Sequence, residues 1–353
     1  MKHTILHADV MAGLASMPDE SIQCVITSPP YWGLRDYGTD GQIGIEPSPE
    51  EYVARLVEVF QGVRRVLRDD GVMWVVLGDC YAASGKSGGG KQGKRWKEYG
   101  AHGENIPARN WSTWGLKAKD LIGMPWRIAF ALQADGWYLR SDIIWAKPNP
   151  MPESVRDRPT RSHEFVFLFA KSKKYYYDAD AVREPAQTAG QTRNRRTVWT
   201  ITPQPLRDAH FATFPEALVR PCIRAGTSEA GCCPACGTPW RRVVHIERET
   251  RDDDGRTHSL AGQRMGKTPV PERGWKTQRS TVGWQPGCQC AIDHTVPCSV
   301  LDPFAGSGTV NLVAHDLGRS SVGIELGEKY IDIIKDRWAR GGRPAEALEV
   351  RAI

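Results

Sequence analysis

Residues 299–309 read Ser-Val-Leu-Asp-Pro-Phe-Ala-Gly-Ser-Gly-Thr, and this segment decides the fold class. Ser299–Leu301 has the composition of a short buried strand, and a helical pattern runs from about Gly308 to Leu317 directly after the glycines. A second strand, Ser321–Glu325, ends on an acid 19 residues past Gly306. Strand, glycine turn, helix and strand in that order make one unit of a parallel α/β sheet. A glycine-rich turn at the strand end lets a ligand approach the backbone, with the helix N-terminus aimed at it. A carboxylate closing the next strand suits a ribose diol, because it accepts from both hydroxyls.

The nucleotide alternatives divide on spacing. GxGxxG is absent, since Gly306 and Gly308 are followed by Asn311 where a third glycine would stand. A phosphate loop, GxxxxGK[ST], fails at Cys80, five residues before Gly85-Lys86-Ser87. The turn carries no Lys or Arg, so a nucleoside without phosphates, such as S-adenosylmethionine, fits it better than ATP or NAD.

The same alternation extends upstream. Ile22–Thr27 reads as a buried strand, Ser48–Asp69 as an amphipathic helix and Gly71–Leu77 as a further strand. Lys119–Gln133 is expected to be helical, Trp137–Trp145 and Glu164–Ala170 to be strands, and Glu328–Arg340 to be a final helix before a frayed tail. Phe214 precedes a short helix with Pro215 in its first turn. The strand at 22–27 ends in Thr-Ser-Pro-Pro-Tyr-Trp (27–32). Two prolines fix φ and remove two N–H donors, so the carbonyls before and at Pro29 become rigidly framed acceptors. With exposed aromatics Tyr31 and Trp32 beside them, they suit a planar ligand bearing an amino group. Both loops are expected to face one crevice at the carboxyl edge of the sheet, where the winding reverses.

Charge and composition bound the rest. The chain has 353 residues, 47 Lys+Arg against 41 Asp+Glu, and 40% hydrophobic residues, ordinary values for a folded globular protein. No apolar run is long enough to span a membrane, and His7 and Asp9 break any signal-peptide core, so a cytoplasmic location is expected. The net charge of +6 is small, but its placement is uneven. Residues 84–119 hold eight Lys+Arg against Glu98 and Glu104, with Trp96, Tyr99, Trp111 and Trp114 interleaved. Residues 183–207 add five arginines, and Asn194–Trp199 offers Asn and Arg for base edges. Two basic segments on a near-neutral body suggest a localised polyanion contact.

The pair TSPPYW and DPFAGSGT resembles the catalytic and cofactor motifs of the amino-methylating DNA methyltransferases, in the permuted order called the beta class. The resemblance covers residues 4–181, 210–228 and 297–340. It implies an α/β, Rossmann-like methyltransferase fold, a mostly parallel sheet with helices on both faces. It also implies S-adenosylmethionine as methyl donor and double-stranded DNA as substrate, with a restriction endonuclease as a possible partner. By carry-over, Ser28, Pro29, Pro30 and Tyr31 form the catalytic loop, Ser28 and the Pro29 carbonyl holding the target amino group and Tyr31 stacking on a flipped base. Phe304, Gly306, Ser307, Gly308 and Thr309 line the cofactor, with Asp302 near its methionine end, Glu325 on the ribose, Asp9 near the adenine and Phe214 on the cofactor side. The family's N4-cytosine enzymes more often carry Ser-Pro-Pro-Tyr and its adenine enzymes Asp-Pro-Pro-Tyr, so Ser28 favours N4-cytosine over N6-adenine. An RNA or protein-amide methyltransferase, or a non-catalytic zinc-dependent DNA-binding module, remains as a rival. C5-cytosine methylation is rejected, because Pro221-Cys222 and Pro297-Cys298 lie outside the required loop.

Residues 229–296 are polar and bracketed by cysteines, which marks an insertion. Cys233-Pro-Ala-Cys236-Gly and, later, Cys288-Gln-Cys290 offer four thiolates for a structural zinc in a small zinc-ribbon-like unit, with Cys232 and His294 as spare ligands. The organisation expected is a catalytic half over 1–181, a target-recognition segment over 182–209 and a cofactor-side helix within 210–228. The insertion at 229–296 and a cofactor-binding half over 297–353 complete it.

Overall fold

The computed structural model describes residues 1–33, 41–82, 111–187, 190–204, 213–249 and 276–353. The chain opens with β1 (His3–His7), α1 (Val10–Ala15), β2 (Ile22–Thr27), α2 (Pro49–Val66) and β3 (Leu67–Leu77). Helix α3 (Met124–Ala134) leads into β4 (Tyr138–Ala146) and β5 (His163–Ala170). Three short strands follow, β6 (Glu184–Pro185), β7 (Thr192–Arg193) and β8 (Val198–Thr200), then α4 (Glu216–Gly226). A hairpin of β9 (Arg241–Glu249) and β10 (Lys276–Gln285) precedes β11 (Ser299–Asp302), α5 (Thr309–Asp316), β12 (Ser320–Glu325), α6 (Glu328–Arg340) and β13 (Leu348–Ala352).

Nine strands form one sheet in the order β13-β1-β12-β11-β2-β3-β5-β4-β8. From β13 to β3 every pair is parallel, and β5 pairs antiparallel with both β3 and β4. The period of two along the central strands sorts side chains to opposite faces. Val25, Met73, Val75, Phe167 and Leu301 pack with α1, α2 and α3, whereas Cys24, Val72, Trp74, Val166 and Val300 pack with α4 and α5. This is the expected mostly parallel sheet with helices on both faces.

Local chemistry moves several boundaries. Helix α2 starts where Ser48 accepts from the Glu51 N–H with Pro49 just inside, and it stops at Val66 rather than Asp69. Leu67 turns to extended backbone, so Arg68, Asp69 and Asp70 open β3 instead. The helix expected from Lys119 begins only at Met124, because Lys119 and Gly123 both have positive φ. The segment expected as a frayed tail is β13, an edge strand paired in parallel with β1 from His3↔Leu348 to His7↔Ala352. Its alternation is too polar to signal a strand, since it is exposed along most of its length. No helix among the described residues is long and apolar enough to cross a membrane.

The cysteine-bracketed unit docks at the amino edge of the sheet. Buried Gln23, near the start of β2, donates to the Gly237 carbonyl at 3.1 Å and accepts from the Ser299 N–H at 2.6 Å. Arg68 reaches the Cys236 carbonyl and the Thr238 hydroxyl. On the flank, Arg242 pairs with Asp178 and Arg279 with Asp180. Replacing Gln23 with Leu keeps the volume but strands a buried donor and a buried acceptor. Gln23→Leu is expected to cost about 1–3 kcal/mol in urea unfolding, and an unchanged midpoint would show that this bridge does not tie the unit to the sheet.

Candidate active site

β11 feeds α5 and β12 toward one end of the sheet, while β2 feeds α2 and β3 toward the other. The two strands lie side by side, and the loops leaving them open a crevice at the carboxyl edge. A cavity of about 420 Å³ occupies that crevice, within the usual size of a small-ligand pocket. Ser28, Pro29, Pro30 and Tyr31 line it from the loop after β2. Phe304, Gly306, Ser307 and Thr309 line it from the loop after β11, with Asp9, Phe214 and Glu325 completing the set.

Two expected ligand contacts are placed differently: Asp302 and Gly308 are not among the cavity-lining residues. Gly308 is the residue before α5 with φ +73°, and a Cβ there would meet Ile334 at 2.9 Å. Its position thus serves the packing of the loop on α6. Asp302 is buried, accepts from the Thr27 hydroxyl at 2.7 Å and from the Phe304 N–H at 3.1 Å, and leaves its second oxygen without a partner. Burial pushes this carboxyl up to about 7 against the opposing hydrogen bonds. It shapes the loop from below.

Glu325 accepts from the Gly306 N–H and the Gly327 N–H, each at 2.8 Å and one on each oxygen. Each oxygen keeps a second lone pair for a ligand hydroxyl. Burial raises this carboxyl to about 7, with the backbone donors pulling the other way. Asp9 uses one oxygen to accept from the Met11 N–H at the start of α1. Arg337, on α6, carries no sequence signal of its own. Its guanidinium donates to the Ser307 carbonyl at 2.6 Å and to the Ser307 and Thr309 hydroxyls at 2.8 and 3.0 Å. The glycine loop is therefore held in shape by a cation beneath it.

The aromatic loop is also organised by residues without a motif. Tyr31 donates its hydroxyl to Glu164 at 2.9 Å, and Lys147 pairs with the other oxygen of Glu164. Lys147 also lies 4.3 Å from the Trp145 ring centre. A Cβ on Gly78, the residue after β3, would meet the Tyr31 ring at 2.6 Å, so the backbone there lies close against the tyrosine. Burial and the Glu164 carboxylate hold the Tyr31 hydroxyl well above its ordinary range, which keeps it a donor. Trp32, expected to be exposed, is buried against Trp114 and donates its indole N–H to the Glu46 carbonyl at 2.9 Å. An indole that finds a backbone acceptor inside the fold has no reason to face solvent.

Comparison with known proteins addresses the chain as a whole. The family model described as DNA methylase, covering N6 and N4 methyltransferases, matches residues 22–233 and 299–336. The Type II methyltransferase M.Cfr9I of Citrobacter freundii is 43% identical over 95% of this chain and 87% of its own length. M.SmaI of Serratia marcescens is 41% identical over 95% and 90%. The chain belongs to the N6/N4 DNA methylases. The fold of this methylase is shared with the cytosine-N4-specific PvuII DNA methyltransferase at a TM-score of 0.57, with 18% identity over 98% of this chain and 89% of that one. It is also shared with a DNA modification methylase of Thermus thermophilus crystallised with S-adenosyl-L-methionine, at a TM-score of 0.51, with 20% identity over 99% of each chain.

In this methylase the sulfur atoms of Cys233, Cys236, Cys288 and Cys290 lie within 4.8 Å of one another, the geometry of a four-thiolate metal centre. The two spare candidates stand apart: Cys232 pairs its backbone with Val296, and His294 is exposed beside Asp293. Burial opposes ionisation of Cys236, but its bonds with Thr238 and the thiols of Cys288 and Cys290 bring it down to about 6. The Cys236 contact, with Cys288 and Cys233 beside it, pushes Cys290 up to about 12.

Much of basic segment 84–119 lies outside the described residues. In the second basic segment Asn194 accepts from Arg183, while Arg193 and Arg196 share Glu184. Trp199 is buried with Arg195 over its ring at 4.5 Å. Four of the residues in Asn194–Trp199 are thus engaged within the fold.

The raised carboxyl at Asp302 has a direct consequence for stability. A group that binds its proton more tightly folded than unfolded makes stability fall as pH rises from about 4, the unfolded value, to the folded value. Wild-type unfolding midpoints should decline between about pH 4 and pH 7 in part for this reason. Asp302→Asn mimics the protonated form and should flatten that slope; an unchanged slope would mean that Asp302 keeps an ordinary carboxyl.

Proposed function

We propose that this methylase transfers a methyl group from S-adenosylmethionine to the N4 amino group of cytosine in double-stranded DNA, after flipping the base into the cavity. The observation that carries the reading is the meeting of the Ser28–Tyr31 loop and the Phe304–Thr309 loop in one cavity at adjacent strand ends. The residues present fit a nucleoside cofactor. The loop lacks a phosphate-binding cation facing a ligand, and Glu325 sits where a ribose diol would find two acceptors. S-adenosylmethionine, when bound, supplies a methyl group already activated on a sulfonium. The protein's own part is then mainly positioning.

In this reading Ser28 and the Pro29 carbonyl accept from the target amino group and orient its lone pair. Tyr31 offers the ring face opposite Gly78 to the base, its hydroxyl anchored on Glu164, and Lys147 holds Glu164 in place. Glu325 accepts from the ribose, while Asp9 and Phe214 border the adenine side. Asp302 and Gly308 act through the loop's shape. Ser28, where the adenine enzymes more often carry Asp, favours cytosine; N6-adenine is the alternative. The kinship with Type II methyltransferases supports a duplex DNA substrate and a cognate endonuclease as partner.

The four clustered cysteines fit a structural zinc, whose charge would relieve the repulsion among their thiolates. The unit sits on the amino edge of the sheet, so its proposed work is stabilisation rather than chemistry.

Mass spectrometry of nucleosides from methylated plasmid tests the function. N4-methylcytosine is expected; N6-methyladenine in its place would overturn the base assignment. Tyr31→Ala should lower transfer by about a hundredfold while cofactor binding, read by calorimetry, stays close to wild type. Metal analysis should find about one zinc per chain. Chelation or Cys233→Ser should lower the melting temperature without weakening cofactor affinity in the protein that remains folded. Absence of zinc in freshly purified protein would remove the metal from this reading.

A further inference from the structure

Twelve large hydrophobic side chains are exposed among the described residues, and only Met151 of these lines the cavity. It is also the most exposed of them, at 76%. Scattered exposed apolar residues need no explanation. One that is both exposed and part of the cavity lining differs, because it can touch a ligand in the cavity and a molecule lying across it.

The chain around Met151 is built to be stiff. Residues 148–152 read Pro-Asn-Pro-Met-Pro, so every second φ is fixed and each residue between is biased to extended backbone. The segment leaves β4 at Lys147, whose N–H donates to the Ser162 carbonyl at 2.7 Å and closes the base of the loop. On the far side Glu153 accepts from the Arg158 guanidinium at 2.7 Å, and Arg158 lies 3.9 Å from the Tyr81 ring centre. Arg156, five residues further along the same loop, is exposed as well. A stiff segment with an exposed apolar side chain and an exposed cation further along the same loop suits a nucleic-acid duplex: charge for a phosphate, apolar surface for base faces.

We propose that Met151 is the wedge that enters the duplex at the position the target base vacates. A base rotated out of the stack leaves two neighbouring base faces exposed to water, and an apolar side chain filling the gap offsets part of that cost. The thioether chain is unbranched and flexible, so it fills an irregular gap between different neighbours. The inference rests on the base-flipping reading proposed above.

The test uses the full-length protein and short duplexes carrying its own methylation site, mapped first by sequencing plasmid DNA modified in an expressing cell. In one duplex the target base is paired; in the other it stands opposite a mismatch, which lowers the cost of extrusion. Met151→Ala should reduce kcat/KM on the paired duplex by about tenfold and on the mismatched duplex by less than about twofold. Met151→Leu should recover most of the loss. Equal activity of Met151→Ala and wild type on both duplexes overturns the wedge, and so does an equal loss on both. In either case methylation by the wild type leaves the proposed function standing. If the wild type transfers no methyl group to DNA, the function falls and the wedge with it.

Discussion

The hydrogen bond from the Thr27 hydroxyl to Asp302, 2.7 Å long and buried, joins the last residues of two neighbouring parallel strands. Everything at the carboxyl edge is arranged around that junction. One residue beyond Thr27 the chain enters the Ser-Pro-Pro-Tyr loop, and one beyond Asp302 it enters the Pro-Phe-Ala-Gly-Ser-Gly loop. The strands must pair here for the loops to share a cavity, and the helices after them must leave in opposite directions for the cavity to stay open. Asp302 accepts a raised affinity for its proton as the cost of sitting at this junction without a cation nearby.

Around the junction, support comes from below and behind each loop. Arg337 grips the glycine loop through Ser307 and Thr309, and the Lys147–Glu164 pair grips Tyr31 through its hydroxyl. These partners come from α6 and the β4–β5 pair, far along the chain from the loops they hold. Contacts of this kind keep a site in place without lining up with it in sequence. The opposite edge has its own fastening, where Gln23 and Arg68 bind the cysteine knuckle to the starts of β2, β11 and β3. The sheet thus separates the two loops, at its carboxyl edge, from the four-sulfur unit at its amino edge.

Legibility in the sequence follows how local the cause is. β2, β11, β12 and α6 are legible nearly to the residue, because buried parallel strands are continuous apolar runs and a terminal helix shows its period plainly. β13 is not, since an exposed edge strand owes its form to pairing with β1 rather than to its own composition. Of the thirteen residues expected to bind or react in the crevice, eleven line one cavity. Asp302 and Gly308 belong to the same motif but do not line the cavity, a distinction spacing does not carry. Trp32 has the makings of a stacking surface beside Tyr31, yet its indole N–H finds a carbonyl inside the fold. Glu164 and Lys147 carry no motif of their own; strands ending beside Tyr31 give them their place.

The residue pattern is enough to establish a parallel α/β sheet, a glycine turn between strand and helix, a proline-framed loop after another strand and four cysteines in two close pairs. Each is a matter of backbone freedom, side-chain chemistry or periodicity within a few positions. Which strands are neighbours, which face each loop presents and what holds it rigid are long-range facts. They depend on a buried pairing between residues 275 positions apart, and packing selects that pairing.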